Sequence, residues 1–243
     1  MILVAGAFSY RKFKGLVQLS RLLSSTFTVI NYDRRGRGDS GDTLHYSVDR
    51  EIDDLEALAR YTGGNPFVWG LSSGATLALR AAARGVAMRK LAVYEPPFLI
   101  DHSAHVPPLD FAARLKELAL QDRRSDAVRF FMVDGMGAPR IAPLVLRLFP
   151  RAWGRLKAVA HTLPYDAEIL GATIQGIPPK PEEWAAVTVQ TLVMYGEKTA
   201  AGLQSGANAI ARVLQHAEVR VLKGQTHNVS MHALAPVLKE YFS

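Results

Sequence analysis

Residues 67–76 read Phe67-Val68-Trp69-Gly70-Leu71-Ser72-Ser73-Gly74-Ala75-Thr76, and this stretch decides the fold. A short apolar run ends in Gly-x-Ser-x-Gly, and the small residues from 75 to 83 start a helix at once. A serine between strand and helix sits on a strained turn, so that its hydroxyl projects into an open site. Gly70 and Gly74 flank it, and without side chains they let strand and helix come close. The amide of Ser73 and the helix N-terminus behind it then lie where negative charge on an attacked carbonyl develops. Five residues match many ordinary glycine turns, so the surrounding chain must carry the reading.

With 243 residues, 49% of them hydrophobic and 21% charged, the chain is long enough for one domain with an inserted subdomain. It has no cysteine, which removes disulfide frameworks, thiol catalysis and thiolate metal sites. This fits a reducing compartment, and a cytoplasmic location is expected. Residues 1–8 are apolar but lack a basic flank, are too short for a signal core and run into Tyr10-Arg11-Lys12. Neither a signal peptide nor a membrane span is read. The formal net charge of +7 comes from arginines scattered among acidic residues along helices, without a basic tail or interleaved aromatics. A solvated surface is the expectation, with a small-molecule substrate as partner and neither nucleic acid nor membrane. No feature of the sequence specifies an oligomeric state.

Residues 2–5 form a buried-strand candidate, followed by a helical pattern through Phe13, Leu16, Val17, Leu19 and Leu22 and a second strand at 27–32. The loop Asp33-Arg34-Arg35-Gly36-Arg37-Gly38-Asp39-Ser40 comes next. Its glycines have neither the lysine nor the spacing of a P-loop, so a structural turn beside the elbow, the sharp strand-to-helix turn at Ser72, outweighs a phosphate or RNA site. Ser47 opens a helix with an acidic first turn and Ile52, Leu55 and Leu58 on one face. Strands follow at 67–69 and 91–94, the second closed by Glu95-Pro96-Pro97, with a helix to about residue 84 between them. Strand and helix then stop alternating. Segments 109–121, 125–135, 140–149 and 151–162 read as helices punctuated by prolines and glycines, a helical insert. Strands at 191–195 and 218–222 and helices at 201–214 and 231–241 resume the pattern. Apolar strands separated by helices imply an α/β fold with a doubly wound, mostly parallel sheet that binds ligands at the carboxyl ends of its strands. Residues 1–97 and 187–243 form the expected core, and residues 98–186 a cap or lid.

With these elements in order, the chain resembles the alpha/beta-hydrolase superfamily over nearly its whole length. The resemblance is carried by Val4-Ala5-Gly6-Ala7, where the family often has His-Gly-x, by the loop of residues 33–40, by residues 70–74, and by Gly224-Gln225-Thr226-His227. It implies a cofactor-independent serine hydrolase with Ser72 as nucleophile and His227, in the loop after the last strand, as base. Of the other histidines (His45, His102, His105, His161, His216 and His232), His232 on the following helix is the fallback. Family members most often carry the acid after the strand read at 191–195, where this chain has Gly196-Glu197-Lys198-Thr199 and a threonine in its place. Some members carry it after the preceding strand, which points to Glu95, with Glu197 as runner-up and Asp166 third. Capping of a neighbouring helix is the alternative role for Glu95. The amides of Ala7 and Ser73 are the implied oxyanion donors. The family's antiparallel hairpin before the first strand is not read here, so that strand is expected to be an exposed edge.

Phe8, beside Ala7, and Phe131, Met132, Trp153 and Tyr165 in the insert are candidate substrate contacts. Phe130, Met136 and Phe149 belong to the same group, although such residues at helical spacing equally fill a core. The expected reaction is cleavage of a carboxylic ester, lactone or thioester of a small to medium apolar molecule through an acyl-enzyme, without metal or cofactor. A non-catalytic ligand-binding protein, suggested by the threonine at the usual acid position, stays open, as does carbon-carbon cleavage or cyclisation. Serine at the elbow argues against the dehalogenase and epoxide-hydrolase branches, which attack with a carboxylate.

Overall fold

The computed structural model describes residues 1–43 and 45–243. In chain order its elements are β1 (Ile2–Val4), α1 (Lys14–Leu23), β2 (Ile30–Asn31), α2 (Val48–Tyr61), β3 (Phe67–Leu71), α3 (Ser73–Ala83) and β4 (Lys90–Tyr94). After a helical segment come β5 (Thr191–Gly196), α10 (Ala201–Val213), β6 (Ala217–Leu222) and α11 (Met231–Phe242). The six strands form one sheet in the order β2-β1-β3-β4-β5-β6, and every pairing is parallel. This is the doubly wound α/β sheet that the sequence implies.

Side chains of a strand alternate between faces, and here both faces are apolar. Ile2, Val4, Val68, Leu91, Val93 and Val193 point to the layer of α2, α3 and α10, where Leu55, Leu77 and Ile210 pack. Leu3, Trp69, Ala92, Tyr94, Leu192 and Met194 point the other way, onto Leu19, Leu23, Leu234 and Phe242 of α1 and α11. Burial on both sides explains why the central strands read as unbroken apolar runs.

The first strand is not the exposed edge that the sequence reading expects. β1 is fully buried and lies between β2 and β3. The edge is β2, which contracts from the expected six residues to Ile30–Asn31, while Phe27 and Val29 turn into the α1/α11 layer. β6, at the other edge, carries Glu218 and Arg220, charges that disfavour strand addition.

Between β4 and β5 the described elements are all helical: α4 (Phe111–Leu120), α5 (Arg124–Phe130) running into a π-turn (Phe131–Gly135), α6 (Ala142–Arg147), α7 (Pro150–Ala158), α8 (Leu163–Leu170) and α9 (Pro181–Trp184). They enclose an apolar cluster of their own that includes Phe111, Leu115, Phe130, Phe131, Trp153 and Leu163. Ala7 and Phe8, in the loop after β1, pack against it. α8 is absent from the sequence reading, whose last helix of the insert ends at residue 162, two residues before Pro164. In the structure that proline occupies the first turn of the helix, where its missing N–H costs nothing.

The elbow requires its glycines for space. A Cβ on Gly70 would lie 2.6 Å from Gly74 O, and one on Gly74 would overlap the carbonyl oxygens of Val4 and Ala5. These neighbours are backbone atoms and cannot move aside. Gly74→Ala is therefore expected to destabilise the fold by about 2 kcal/mol or more. Gly41→Ala, where an added Cβ meets nothing within 4 Å, should match the parent in thermal denaturation.

Candidate active site

Three loops at the carboxyl ends of β1, β3 and β4 hold three of the four non-glycine residues with positive φ among the described residues: Phe8 (60°), Ser72 (54°) and Glu95 (47°). Each such conformation costs on the order of 1–3 kcal/mol, and strain of this kind gathers where a side chain must be aimed. Ser72, at φ 54° and ψ −125°, sits between β3 and α3. Its N–H donates to Tyr94 O at 3.0 Å, and its C=O accepts the first helical bonds from Ala75 and Thr76. The hydroxyl is thereby presented from a turn anchored on both sides.

Glu95 is wholly buried at the end of β4. One carboxylate oxygen, Oε1, accepts from the Gly196 amide at 2.8 Å and from Thr199 Oγ1 at 2.5 Å. The other, Oε2, lies 2.7 Å from His227 Nδ1. A carboxylate only accepts, so the proton of that bond resides on Nδ1 and leaves Nε2 as the basic nitrogen. Burial alone would raise the Glu95 pKa, but the bonds from His227, Thr199 and Gly196 outweigh it and hold the carboxyl below its ordinary value. Thr199 thus binds the Glu95 carboxylate from the neighbouring strand's end.

The histidine loop is fixed independently. Thr226 O accepts from Tyr94 OH at 2.7 Å, Gln225 O accepts from the Lys198 amide at 2.8 Å, and Gln225 Oε1 accepts from the Ser230 amide at 2.9 Å. The alternatives are engaged elsewhere. The Glu197 carboxylate accepts from the Gly224 amide, and His232 pairs with Gln18 on α1.

Asp166, on α8, belongs to a buried cluster that the sequence reading does not anticipate. Arg34 is fully buried and grips Glu51 with two bonds of 2.8 Å, Nε to Oε2 and Nη2 to Oε1, while Nη1 donates to Asp166 Oδ1 at 2.8 Å. Arg37, equally buried, donates to Asp166 Oδ2 at 2.5 Å, to Thr162 Oγ1 at 3.0 Å and to Gly6 O at 2.7 Å. Ser73 Oγ donates to Asp166 Oδ1 at 2.7 Å. Burial would raise the Asp166 pKa, but Arg37, Arg34 and the Ser73 bond overcome it, so the net direction is down. The arginine loop is therefore a structural device, as its turn chemistry suggests, tied to the elbow and to the loop after β1. The only signal in the sequence is the pair of arginines; their partner lies 132 positions away from Arg34.

Among the apolar candidates, Phe8 and Phe131 meet edge to face with centroids 5.2 Å apart. Met132 is half-buried against the same cluster. Trp153 is buried within that cluster, with Arg147 over its ring. Tyr165 stacks on Tyr46 at 3.8 Å and donates to Asp42, so it braces the loop before α2. Met136 and Phe149 are exposed.

Residues 1–240 match the family described as the alpha/beta hydrolase family. A crystal structure of an alpha/beta hydrolase from Sphaerobacter thermophilus superposes with a TM-score of 0.90 at 43% identity, covering 100% of this chain and 91% of that one. An enol-lactonase from Burkholderia xenovorans gives a TM-score of 0.70 at 19% identity, covering 99% of this chain and 90% of that one. A thermophilic esterase from Thermogutta terrifontis gives 0.66 at 20% identity, covering 99% and 88%. The last two are similar in fold alone. None of the curated proteins compared with the chain matches it.

Removing one member of a buried charge cluster leaves its partners uncompensated. Asp166→Asn is expected to lower stability by roughly 3–5 kcal/mol, read from urea denaturation. Because its folded pKa is depressed, Asp166 contributes stability that is present above its ordinary value of 3.8 and is lost as pH falls through the lower folded value. The parent should therefore lose stability below about pH 3.8, and that component should be missing from the variant's pH profile.

Proposed function

Because the chain belongs to the alpha/beta hydrolase family, we propose that it is a serine hydrolase in which Ser72, His227 and Glu95 form the catalytic triad. The observation that carries this reading is the 2.7 Å contact of His227 Nδ1 with a buried Glu95 carboxylate, combined with a serine on a strained strand-to-helix turn. His227 Nε2 takes the proton of Ser72 Oγ as the oxygen attacks the substrate carbonyl, giving a tetrahedral intermediate and an imidazolium. Glu95 holds the tautomer and offsets the new positive charge. The intermediate collapses to an acyl-Ser72, with the proton passing to the leaving alcohol, thiol or enol oxygen. Water then repeats the cycle and releases the acid.

The oxyanion donors in this reading are the backbone amides of Ala7 and Ser73. The Ala7 amide shares a planar trans peptide with Gly6 O, and the two groups point in opposite directions. Arg37 holds that carbonyl at 2.7 Å and so aims the N–H away from itself. Ser73 is fixed by its hydroxyl on Asp166. Both proposed donors are thus oriented by the same buried cluster, which supports electrostatic preorganisation at the developing oxyanion.

The helical segment of residues 98–186 acts in this proposal as the cap, and Phe8 and Phe131, at the contact between core and cap, favour a small to medium apolar acyl or alcohol group. The esterase and enol-lactonase likenesses agree with an ester or lactone substrate. A binding protein without turnover draws its support from the threonine at the usual acid position, but Thr199 donates to Glu95, which favours the catalytic reading.

Ser72→Ala is expected to abolish turnover of a short p-nitrophenyl ester and labelling by a fluorophosphonate probe. A parent protein that stays unlabelled under excess probe would sink the proposal.

The assignment of the acid has its own test. Glu95→Gln should lower kcat by roughly 10³- to 10⁴-fold, because glutamine cannot hold the tautomer or offset the imidazolium charge. Glu197→Gln should stay close to the parent. The reverse order would move the acid to Glu197.

A further inference from the structure

Thirteen large apolar side chains are exposed among the described residues, and six of them fall between residues 136 and 149. Ile141, Leu144, Val145 and Leu148 stand at positions i, i+3, i+4 and i+7, one face of α6 with its flanking residues. The helix is anchored by its other side, where Pro143 is buried and Leu146 packs on the helical segment's core. Phe149, 59% exposed, extends the outward face into the turn before α7.

The charge within this stretch of the chain is one-sided. Between residues 135 and 165 the chain carries Arg140, Arg147, Arg151, Arg155 and Lys157 and no Asp or Glu. The four arginines are exposed, and among the described residues none of the five cations takes part in an ion pair. The arginines elsewhere in the chain are more often paired, as Arg35, Arg84, Arg123 and Arg220 are. The basic surplus of the protein is therefore concentrated beside its largest group of exposed apolar side chains, in contrast to the scattered pattern that the whole sequence suggests.

We propose that α6 and the start of α7 form a docking surface for an anionic lipid bilayer, with the apolar side chains entering the headgroup region and the arginines binding lipid phosphates. Apolar residues flanked by Arg on a short amphipathic helix are the chemistry of interfacial binding. A second copy of the chain fits poorly, because a two-fold contact through this face sets arginines against arginines. A two-turn helix is also smaller than the roughly 20–30 residues per side of a stable protein interface. No described helix is long and apolar enough to cross a membrane, so the contact is peripheral. The inference does not depend on the catalytic reading.

Co-sedimentation of the full chain with vesicles tests it, using phosphatidylcholine alone and phosphatidylcholine mixed with phosphatidylglycerol. The protein should pellet with the anionic vesicles only and be released by added salt. Leu144→Asp with Leu148→Asp, and separately Arg147→Glu with Arg151→Glu, should each lower the partition by roughly tenfold or more. Leu120→Asp, at an exposed apolar position on α4, should leave it unchanged. Thermal melts identify any variant that fails to fold, and the wild-type salt response and the arginine pair then carry the test alone. Absence of binding to anionic vesicles, equal binding to uncharged ones, or full binding by both folded double variants overturns the proposal. So does gel filtration in which the parent is a dimer and the leucine variant a monomer, which would make a second copy the occupant.

Discussion

Four buried charges hold the working end of this molecule together. Arg34, Arg37, Glu51 and Asp166 are each 2% exposed or less, and their formal charges cancel. Arg34 joins the loop after β2 to α2 and α8, and Arg37 joins the same loop to α8 and to the carbonyl of Gly6. Through Asp166 the cluster also holds Ser73, the first residue of α3. The loop after β1, the elbow, the arginine loop and the helical segment between β4 and β5 thus share one set of contacts.

Such a cluster is a costly way to gain stability. Desolvating four charges consumes most of what their mutual attraction returns, and well-packed apolar residues often do as well. What apolar residues lack is direction. A guanidinium with its five donors fixed in a plane can hold a particular carbonyl at a particular angle, and here it holds Gly6 O, next to an amide whose orientation matters for the proposed chemistry. The same contacts hold loops whose Phe8 and Ser72 adopt conformations that an isolated chain would leave. Local strain is offset by a network in which breaking a contact leaves a buried charge without that partner.

The parts legible in the sequence are those whose signal is periodic or local. Apolar runs set between helical patterns gave all six strands, Gly70 and Gly74 marked the elbow, and Ser47 marked the start of α2, where its side chain accepts from the Arg50 amide. What the sequence does not display depends on distance or on neighbours. Whether β1 is an edge is decided by which strand pairs beside it. Asp166, which Arg34 and Arg37 share, sits 132 residues along the chain from Arg34, and neither its charge nor its spacing announces it. The apolar face of α6 has the periodicity of a core helix, and only its exposure separates it from one. α8 shows that a proline which breaks a helix interior suits a helix start, since Pro164 stands in its first turn.

The place of the proposed acid follows from the sheet itself. β4 and β5 are parallel neighbours with Tyr94 opposite Met194, so Glu95 emerges beside Tyr195, one residue before Gly196. Adjacent strands lie about 4.8 Å apart, less than the reach of a glutamate side chain and its hydrogen bonds. A carboxylate rooted at the end of either strand can therefore arrive at the same point in front of His227. When it comes from β4, the end of β5 and the loop after it are free to do something else, and here the Gly196 amide and the Thr199 hydroxyl bind the carboxylate oxygen that the histidine does not use. Shortening the side chain at residue 199 from a carboxylate to a hydroxyl avoids placing a second negative charge against a buried Glu95. The threonine that departs from the common pattern and the glutamate one strand away are two halves of a single electrostatic solution.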